Sequence, residues 1–280
     1  MDQEGKSYQA NFSIAERVNF LDLIVTSANN MQARFFGENQ ILYLRIPRMR
    51  NLEEYMKVLD KFQQKDSVQY LILDIRGNGG GDDDVWKKII AQCYDTVITQ
   101  KALLGFLNKR IVLNSLKKMG VKISHEIQPE SIPLFGSQKI HLLPIHGSTE
   151  RFKKGVYKNV KNIFVFADDD CYSSSLVLTK YAFQQDNIIT LGVNSGWIGG
   201  AGIAAMQFQM PNSKLLFLVE STIDLYDINN LRELYTPVKY ELELTPDYFY
   251  TRKTKWNNSF DWLNENDPYF KQVINSINSN

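Results

Sequence analysis

The segment Val68-Gln-Tyr-Leu-Ile-Leu-Asp-Ile75 runs directly into Arg76-Gly-Asn-Gly-Gly-Gly81, and this stretch sets the fold class. Its first eight residues are mostly apolar with little alternation, which is typical of a strand buried on both faces of a parallel sheet. The glycines predict a tight turn, and residues 85–94 supply a helix. A strand, a turn and a helix therefore follow one another in a single unit.

Similar units lie on both sides of this one. Residues 41–47 read as a strand, and Asn51 then caps a predicted helix that runs to about residue 65. Further along, residues 162–167 form a predicted strand, residues 174–184 a helix and residues 188–191 another strand. This repetition predicts an α/β fold with a mixed, mainly parallel sheet flanked by helices.

The rest of the chain is less regular. Between about residues 96 and 157 the pattern weakens, with an amphipathic stretch at 102–118 and then a Pro-, Gly- and Ser-bearing part that holds all three histidines. We predict that residues 1–280 form a single domain in which residues 96–157 are an insertion or lid. The tail from residue 236 begins strand-like and ends in a predicted helix at 268–277.

Composition narrows the range of partners. The 280 residues include 32 Lys and Arg against 31 Asp and Glu, so a net charge of +1 gives no electrostatic reason to expect nucleic acid. A protein or peptide partner fits better. The two cysteines cannot build a disulfide framework, and no Cys/His cluster has zinc-site spacing. We predict no metal, no cofactor and no integral membrane segment, and the first residues lack the pattern of a signal peptide.

The segment Cys171-Tyr-Ser-Ser-Ser175 follows the predicted strand 162–167 and opens a helix. A serine at such a turn can project its hydroxyl from the sheet edge while the helix N-terminus offers N–H groups to an oxyanion. Serines in this position also cap helices without any catalytic role. The adjoining Asp168, Asp169 and Asp170 fit a solvated turn at least as well as a metal cluster. The residues alone leave both interpretations of the serines open.

Three separated segments, in order, resemble the core of the tail-specific, or C-terminal-processing, serine peptidases. They are Leu73–Gly81, Phe164–Ser175 and the glycine-rich Gly192–Gly202, and Glu233–Val238 looks like the closing strand of that family. The resemblance covers roughly residues 38–94 and 160–275. It implies a crotonase- or ClpP-like α/β fold.

The resemblance also implies roles for individual residues. Ser173 takes the position of the nucleophile, and the N–H groups of Gly80 and Ser174 form the oxyanion hole. Gly79 and Gly81 would let the backbone approach a substrate closely.

The catalytic base is less well placed by the resemblance. Ile198 stands where the Ser-Lys branch has its lysine, and Leu176 where the family often has Glu. The sequence is thus closer to the tricorn-like branch, in which a histidine and a carboxylate complete the site. Glu233 matches the carboxylate. The histidine of that branch precedes the core, but the first 124 residues here contain none. His125, His141 and His146 are the candidates, and we take His146 as the catalytic one.

The leading hypothesis is a serine endopeptidase that acts on protein or peptide substrates, with an open sheet edge beside the site available to bind the substrate as an added strand. The alternative is an inactive, peptide-binding protein of the same fold. An acyl-CoA enzyme on this fold and a dinucleotide-binding protein find no support in the motifs. By resemblance, the protein is expected to be exported or to act in the cell envelope.

Overall fold

The computed structural model describes residues 13–14, 31–62, 67–107, 109–118, 129–131, 139–193, 195–197, 205–220, 222–225, 235–248 and 267–279. The strands are Ser13–Ile14 (β1), Gln32–Phe36 (β2), Ile41–Arg45 (β3), Tyr70–Asp74 (β4), Thr96–Leu107 (β5), Pro129–Ser131 (β6), Lys139–Phe152 (β7), Asn162–Ala167 (β8), Ile188–Gly192 (β9), Ser195–Trp197 (β10), Ala205–Gln209 (β11), Leu216–Glu220 (β12), Thr222–Asp224 (β13), Tyr235–Thr236 (β14) and Tyr240–Glu241 (β15). The helices are Leu52–Phe62 (α1), Asp83–Ile90 (α2), Arg110–Lys118 (α3), Ser174–Phe183 (α4) and Pro268–Asn278 (α5).

The central sheet has six strands in the order β15-β9-β8-β4-β3-β2. Every neighbouring pair is parallel except β2 and β3, which are antiparallel. The mixed, mainly parallel sheet predicted from the apolar runs is therefore confirmed. Crossover helices cover such a sheet, so its inner strands lose contact with water on both faces.

Alternate residues of the inner strands divide between two apolar layers. Leu71 and Leu73 of β4 face the layer that contains α1, α2 and α4, in which Trp86 is fully buried. Ile72 of the same strand faces the second layer, to which α5 contributes Tyr269 and Val273. This two-sided burial explains why the sequence of β4 shows no hydrophobic alternation.

The predicted insertion at residues 96–157 contributes three strands to a second sheet, separate from the central one. Its strands β5, β6 and β7 combine with β13 in the order β13-β5-β7-β6. The amphipathic stretch at 102–118 is divided, because its first residues continue β5 and only Arg110–Lys118 is helical. An ion pair at 2.7 Å between the buried Lys87 of α2 and the partly exposed Glu150 of β7 ties this sheet to the core. Its action as a lid stays a prediction.

The predicted core elements agree with the observed bounds to within a few residues. The tail helix expected at 268–277 is α5, capped by Asp267, whose carboxylate accepts the Tyr269 N–H at 2.8 Å. Proline at the first position of α5 suits a helix start, since its missing N–H would have no partner there. Among the helices of the described ranges, none has the length and apolar character needed to cross a bilayer.

Candidate active site

The site lies at one edge of the central sheet, where β4 and β8 end. These two strands are parallel neighbours, with Asp74 opposite Phe166. The chain after β4 is the glycine-rich loop 75–81, and the chain after β8 is the turn that leads into α4. Parallel strands end at the same edge, so the two segments meet there. In open α/β sheets this carboxyl edge is the usual place for a ligand.

Ser173 has a strained backbone at the N-terminus of α4. Its φ of 54° and ψ of −121° lie outside the ordinary regions for a residue with a side chain. Such strain costs about 1–3 kcal/mol and is concentrated at functional sites. The hydroxyl makes no capping hydrogen bond to α4, and the residue is partly exposed. The capping interpretation thus fails for Ser173, whose conformation is that of a serine held on a sharp strand-to-helix turn.

Asn78 joins the glycine-rich loop to this turn. Its side chain donates from Nδ2 to the Ile46 carbonyl at 2.8 Å, and its backbone carbonyl accepts from the Tyr172 N–H at 3.0 Å. The hydroxyl of Ser175 lies 2.6 Å from the same Asn78 carbonyl. Asn78 is fully buried, so these bonds are shielded from water and hold the loop against the turn.

Gly80 packs directly against the turn that carries Ser173. Its φ is +96°, and a Cβ built on it would lie 2.6 Å from both the Ser173 Cβ and the Tyr172 carbonyl oxygen. Only glycine fits at this approach. The Gly80 N–H donates to Asn78 Oδ1 at 2.7 Å. Its predicted role in the oxyanion hole therefore requires this bond to be shared or exchanged when a substrate binds.

The two neighbouring glycines have different surroundings. Gly81, at φ +140°, lies against Met49, whose carbonyl oxygen would be 2.1 Å from an added Cβ. Close packing on Met49 thus explains the need for glycine at this position. Gly79 is exposed and has open space where a side chain would be. Gly81 is exposed as well, so the role of both glycines in substrate binding stays a prediction.

The two serines that follow Ser173 also differ from each other. Ser175 is fully buried, and its hydroxyl accepts the Tyr172 N–H at 2.9 Å while lying near the Asn78 and Tyr172 carbonyls. The Ser174 hydroxyl is buried without a hydrogen-bond partner. The backbone N–H of Ser174 belongs to the first turn of α4, where N–H groups have no partner within the helix. That N–H stays our candidate for the oxyanion hole.

A buried network of charged side chains lies next to the glycine-rich loop 75–81. The Arg76 guanidinium makes two hydrogen bonds to the Asp74 carboxylate, at 2.6 and 2.9 Å, and Arg45 lies 3.3 Å from the same carboxylate. A third bond, at 2.9 Å, joins Arg76 to Asp267 at the start of α5. Burial alone would raise the pKa of Asp74, but the two guanidinium groups outweigh it and hold that pKa at about 2.

Asp168 and Cys171 fix the start of the turn. Asp168 Oδ1 accepts the N–H groups of Gly77 and Asp170, both at 3.0 Å, and the Cys171 thiol donates to the Ile75 carbonyl at 3.2 Å. Burial, followed by the nearby Asp168 carboxylate, raises the pKa of Cys171, which disfavours a thiolate.

The carboxylates of Asp168, Asp169 and Asp170 lie within 4.8 Å of one another. The hydrogen bonds of Asp168 account for this arrangement as a turn. The absence of a metal stays a prediction.

The candidate base and its carboxylate partner fall largely outside the described residues, which include neither His125 nor Glu233. His146 lies in β7 opposite Lys101, and its side chain also falls outside the described part. His141 is buried and stacks on Phe106, with ring centroids 5.5 Å apart, and its Nε2 has no hydrogen-bond partner. His141 therefore packs within the insertion, while the assignment of His146 and Glu233 stays a prediction.

One neighbour of the turn was not expected from the sequence. The Tyr172 hydroxyl donates to the carboxylate of Glu220, at the end of β12. Burial raises the pKa of Glu220 to about 7. No local pattern marks this pair, because 48 residues separate its members. By contrast, Asn78 lies in Leu73–Gly81, a segment whose resemblance to the family is visible in the sequence.

Comparison with known proteins identifies the family. The sequence model of peptidase family S41 matches residues 40–230, more than half of the chain. The chain belongs to peptidase family S41. The resemblance drawn from the glycine-rich loop and the serine turn is thereby confirmed at the level of the family. Among curated proteins, none matches the sequence.

Several solved structures are similar to this chain, and that of mature CPAF supports the fold. The chain is 16% identical to mature CPAF and covers 55% of it, with 89% of this chain aligned and a TM-score of 0.51. A putative peptidase from Parabacteroides merdae is 12% identical over 92% of this chain and 68% of its own, with a TM-score of 0.49. The photosystem II D1 C-terminal processing protease is 14% identical over 72% and 42%, with a TM-score of 0.39. The chain thus spans little more than half of the length of CPAF.

Proposed function

We propose that this chain is a serine endopeptidase in which Ser173 is the nucleophile. The backbone of Ser173 is the observation that carries the proposal, because a strained serine without a capping bond has no evident structural purpose at the start of α4. Membership of a peptidase family makes protein or peptide substrates the natural class. The finer roles below extend the proposal to individual groups.

In the proposed mechanism, Ser173 Oγ attacks the carbonyl carbon of a peptide bond and transfers its proton to the imidazole of His146. The Ser174 N–H, together with the Gly80 N–H once it exchanges its bond with Asn78, stabilises the negative charge that develops on the substrate oxygen. The imidazolium then protonates the leaving amine. Water hydrolyses the acyl-enzyme by the same route in reverse.

Glu233 would orient the imidazole in this scheme. Strand β14 begins two residues later, at Tyr235, and contacts α4, the helix that starts at Ser174. The strand that begins two residues after Glu233 thus lies beside the helix that follows Ser173. This supports Glu233 as the carboxylate.

On family resemblance alone, we extend the proposal to an exported or envelope-associated peptidase. Protection of the protein from added protease in intact cells, with exposure after lysis, would contradict an outward-facing location. Degradation in intact cells would support it.

An alkyl fluorophosphonate, which reacts with activated serines, tests the nucleophile directly. We expect it to label the folded wild-type chain at Ser173 alone, as read by mass spectrometry of peptides, and to leave Ser173→Ala unlabelled. His146→Ala is expected to slow labelling by at least about 100-fold, as expected for loss of a general base, whereas His141→Ala serves as the matched histidine control. Labelling that persists in Ser173→Ala, or a folded wild-type chain that is not labelled, would contradict the proposal.

A further inference from the structure

The hairpin formed by β11 and β12 lies between the insertion and the nucleophile turn. On one face, Met206 and Phe208 pack with Phe106, Val112 and Leu116, which belong to β5 and α3. Side chains alternate along a strand, so Gln207 lies on the opposite face of the hairpin. Gln207 pairs with Leu218 and Ala205 pairs with Glu220, which makes Gln207 and Glu220 diagonal neighbours on that face.

This second face contacts the residue that precedes Ser173. Glu220 accepts the hydroxyl hydrogen bond of Tyr172, the residue that immediately precedes Ser173. The hairpin therefore lies next to the turn that carries Ser173. Gln207 is the diagonal neighbour of Glu220, the residue that makes this contact.

Gln207 has an unusual environment for a glutamine. Its side chain is only 8% exposed, and Nε2 is buried without a hydrogen-bond partner. Gln209, two residues away on the same face, instead donates from Nε2 to the Lys214 carbonyl at 3.3 Å. A buried amide donor without a partner destabilises the folded state, so its presence next to Glu220, which bonds to the residue before Ser173, points to an acceptor that arrives with a ligand.

We propose that Gln207 binds the substrate, its side-chain amide donating to a backbone carbonyl of an extended peptide held between the hairpin and the nucleophile turn. The inference rests on the proposed peptidase function and names a residue that recognises the peptide backbone. A neutral carbonyl is favoured over a carboxylate because Glu220, on the same face, would repel an anionic acceptor when ionised.

The test compares a long substrate with a small probe. For hydrolysis of fluorescein-labelled casein, Gln207→Leu and the closer-shaped Gln207→Met are each expected to raise KM by about 5–10-fold, the loss of one neutral hydrogen bond. Labelling of Ser173 by the alkyl fluorophosphonate should stay at the wild-type rate, because this probe has no peptide backbone. The Tm should be unchanged or higher, since an unpartnered buried amide is removed. Gln209→Leu is the matched control and should leave the casein KM unchanged.

Other outcomes would overturn the inference. A casein KM equal to wild type in both Gln207 variants would do so, as would a fall in Tm and in labelling rate that parallels the loss of casein hydrolysis. If Ser173 is not labelled at all, the peptidase proposal fails separately. Casein binding by Ser173→Ala, measured with and without Gln207→Leu through fluorescence anisotropy, then still decides the role of Gln207.

Discussion

The strained backbone of Ser173 is packed closely against Gly80. Ser173 has a positive φ and makes no capping bond to the helix, and Gly80 approaches so closely that a Cβ would meet the Ser173 Cβ at 2.6 Å. The strain at Ser173 is maintained only because the surrounding loop packs against it. The lack of a side chain at residue 80 is thus a requirement of the serine turn.

Gly80→Ala should displace the serine turn. The added methyl group clashes with Ser173 and Tyr172, and the φ of +96° is unfavourable for alanine, so we expect a loss of about 2–4 kcal/mol in the free energy of unfolding and a large drop in Ser173 labelling. Urea unfolding and fluorophosphonate labelling measure the two effects. Gly79→Ala, whose methyl group enters open space, should leave the Tm unchanged. Equal Tm values for the two variants would show that the close approach of Gly80 does not make glycine necessary for stability.

At the scale of elements, the important contact is between two segments that follow neighbouring strands. The loop after β4 and the turn before α4 are joined through the Asn78 carbonyl, which receives bonds from Tyr172 and Ser175. Sheet topology brings the two segments to one edge, and these buried bonds set their exact spacing. Helix α4 is therefore oriented by the glycine-rich loop as well as by its own packing.

Ser175→Ala and Ser174→Ala form a matched pair that tests this junction. Ser175→Ala leaves the Tyr172 N–H without its side-chain acceptor and removes a bond to a buried carbonyl, so we expect a destabilisation of about 1–3 kcal/mol. Ser174→Ala removes a buried hydroxyl without a partner and should change stability by less than about 0.5 kcal/mol, or raise it. Thermal or urea unfolding followed by circular dichroism measures both. The opposite ranking would contradict the described hydrogen bonds.

Across the whole molecule, one charge network joins the central sheet to the tail helix. Arg76 bonds both to Asp74 at the end of β4 and to Asp267 at the start of α5, which lies 191 residues beyond Arg76 in the chain. The Arg76 guanidinium also stacks over the Tyr269 ring, at 4.4 Å from its centroid. The tail helix is thereby anchored next to the glycine-rich loop.

This network predicts how stability depends on pH. The folded-state pKa of Asp74 is about 2, below the ordinary value of 3.8, so its contribution is complete above about pH 4 and is lost as the pH falls towards 2. We expect this group to account for roughly 2 kcal/mol, measured by urea unfolding at intervals between pH 5 and pH 2. Asp74→Asn should be less stable at pH 5 and should lose less on acidification. Parallel losses in the two proteins would exclude Asp74 as the source.

Local sequence was sufficient for the α/β class, the strands β3, β4 and β8, the helices that follow them and the placing of Ser173 at a strand-to-helix turn. Those features follow from apolar runs, glycines and caps, which act over a few residues and are therefore visible in the chain. The strain at Ser173, the engagement of the Gly80 N–H by Asn78 and the contact of Tyr172 with Glu220 were not visible there. They depend on strand order and register, which bring together residues that lie far apart in sequence and whose spacing no local pattern records.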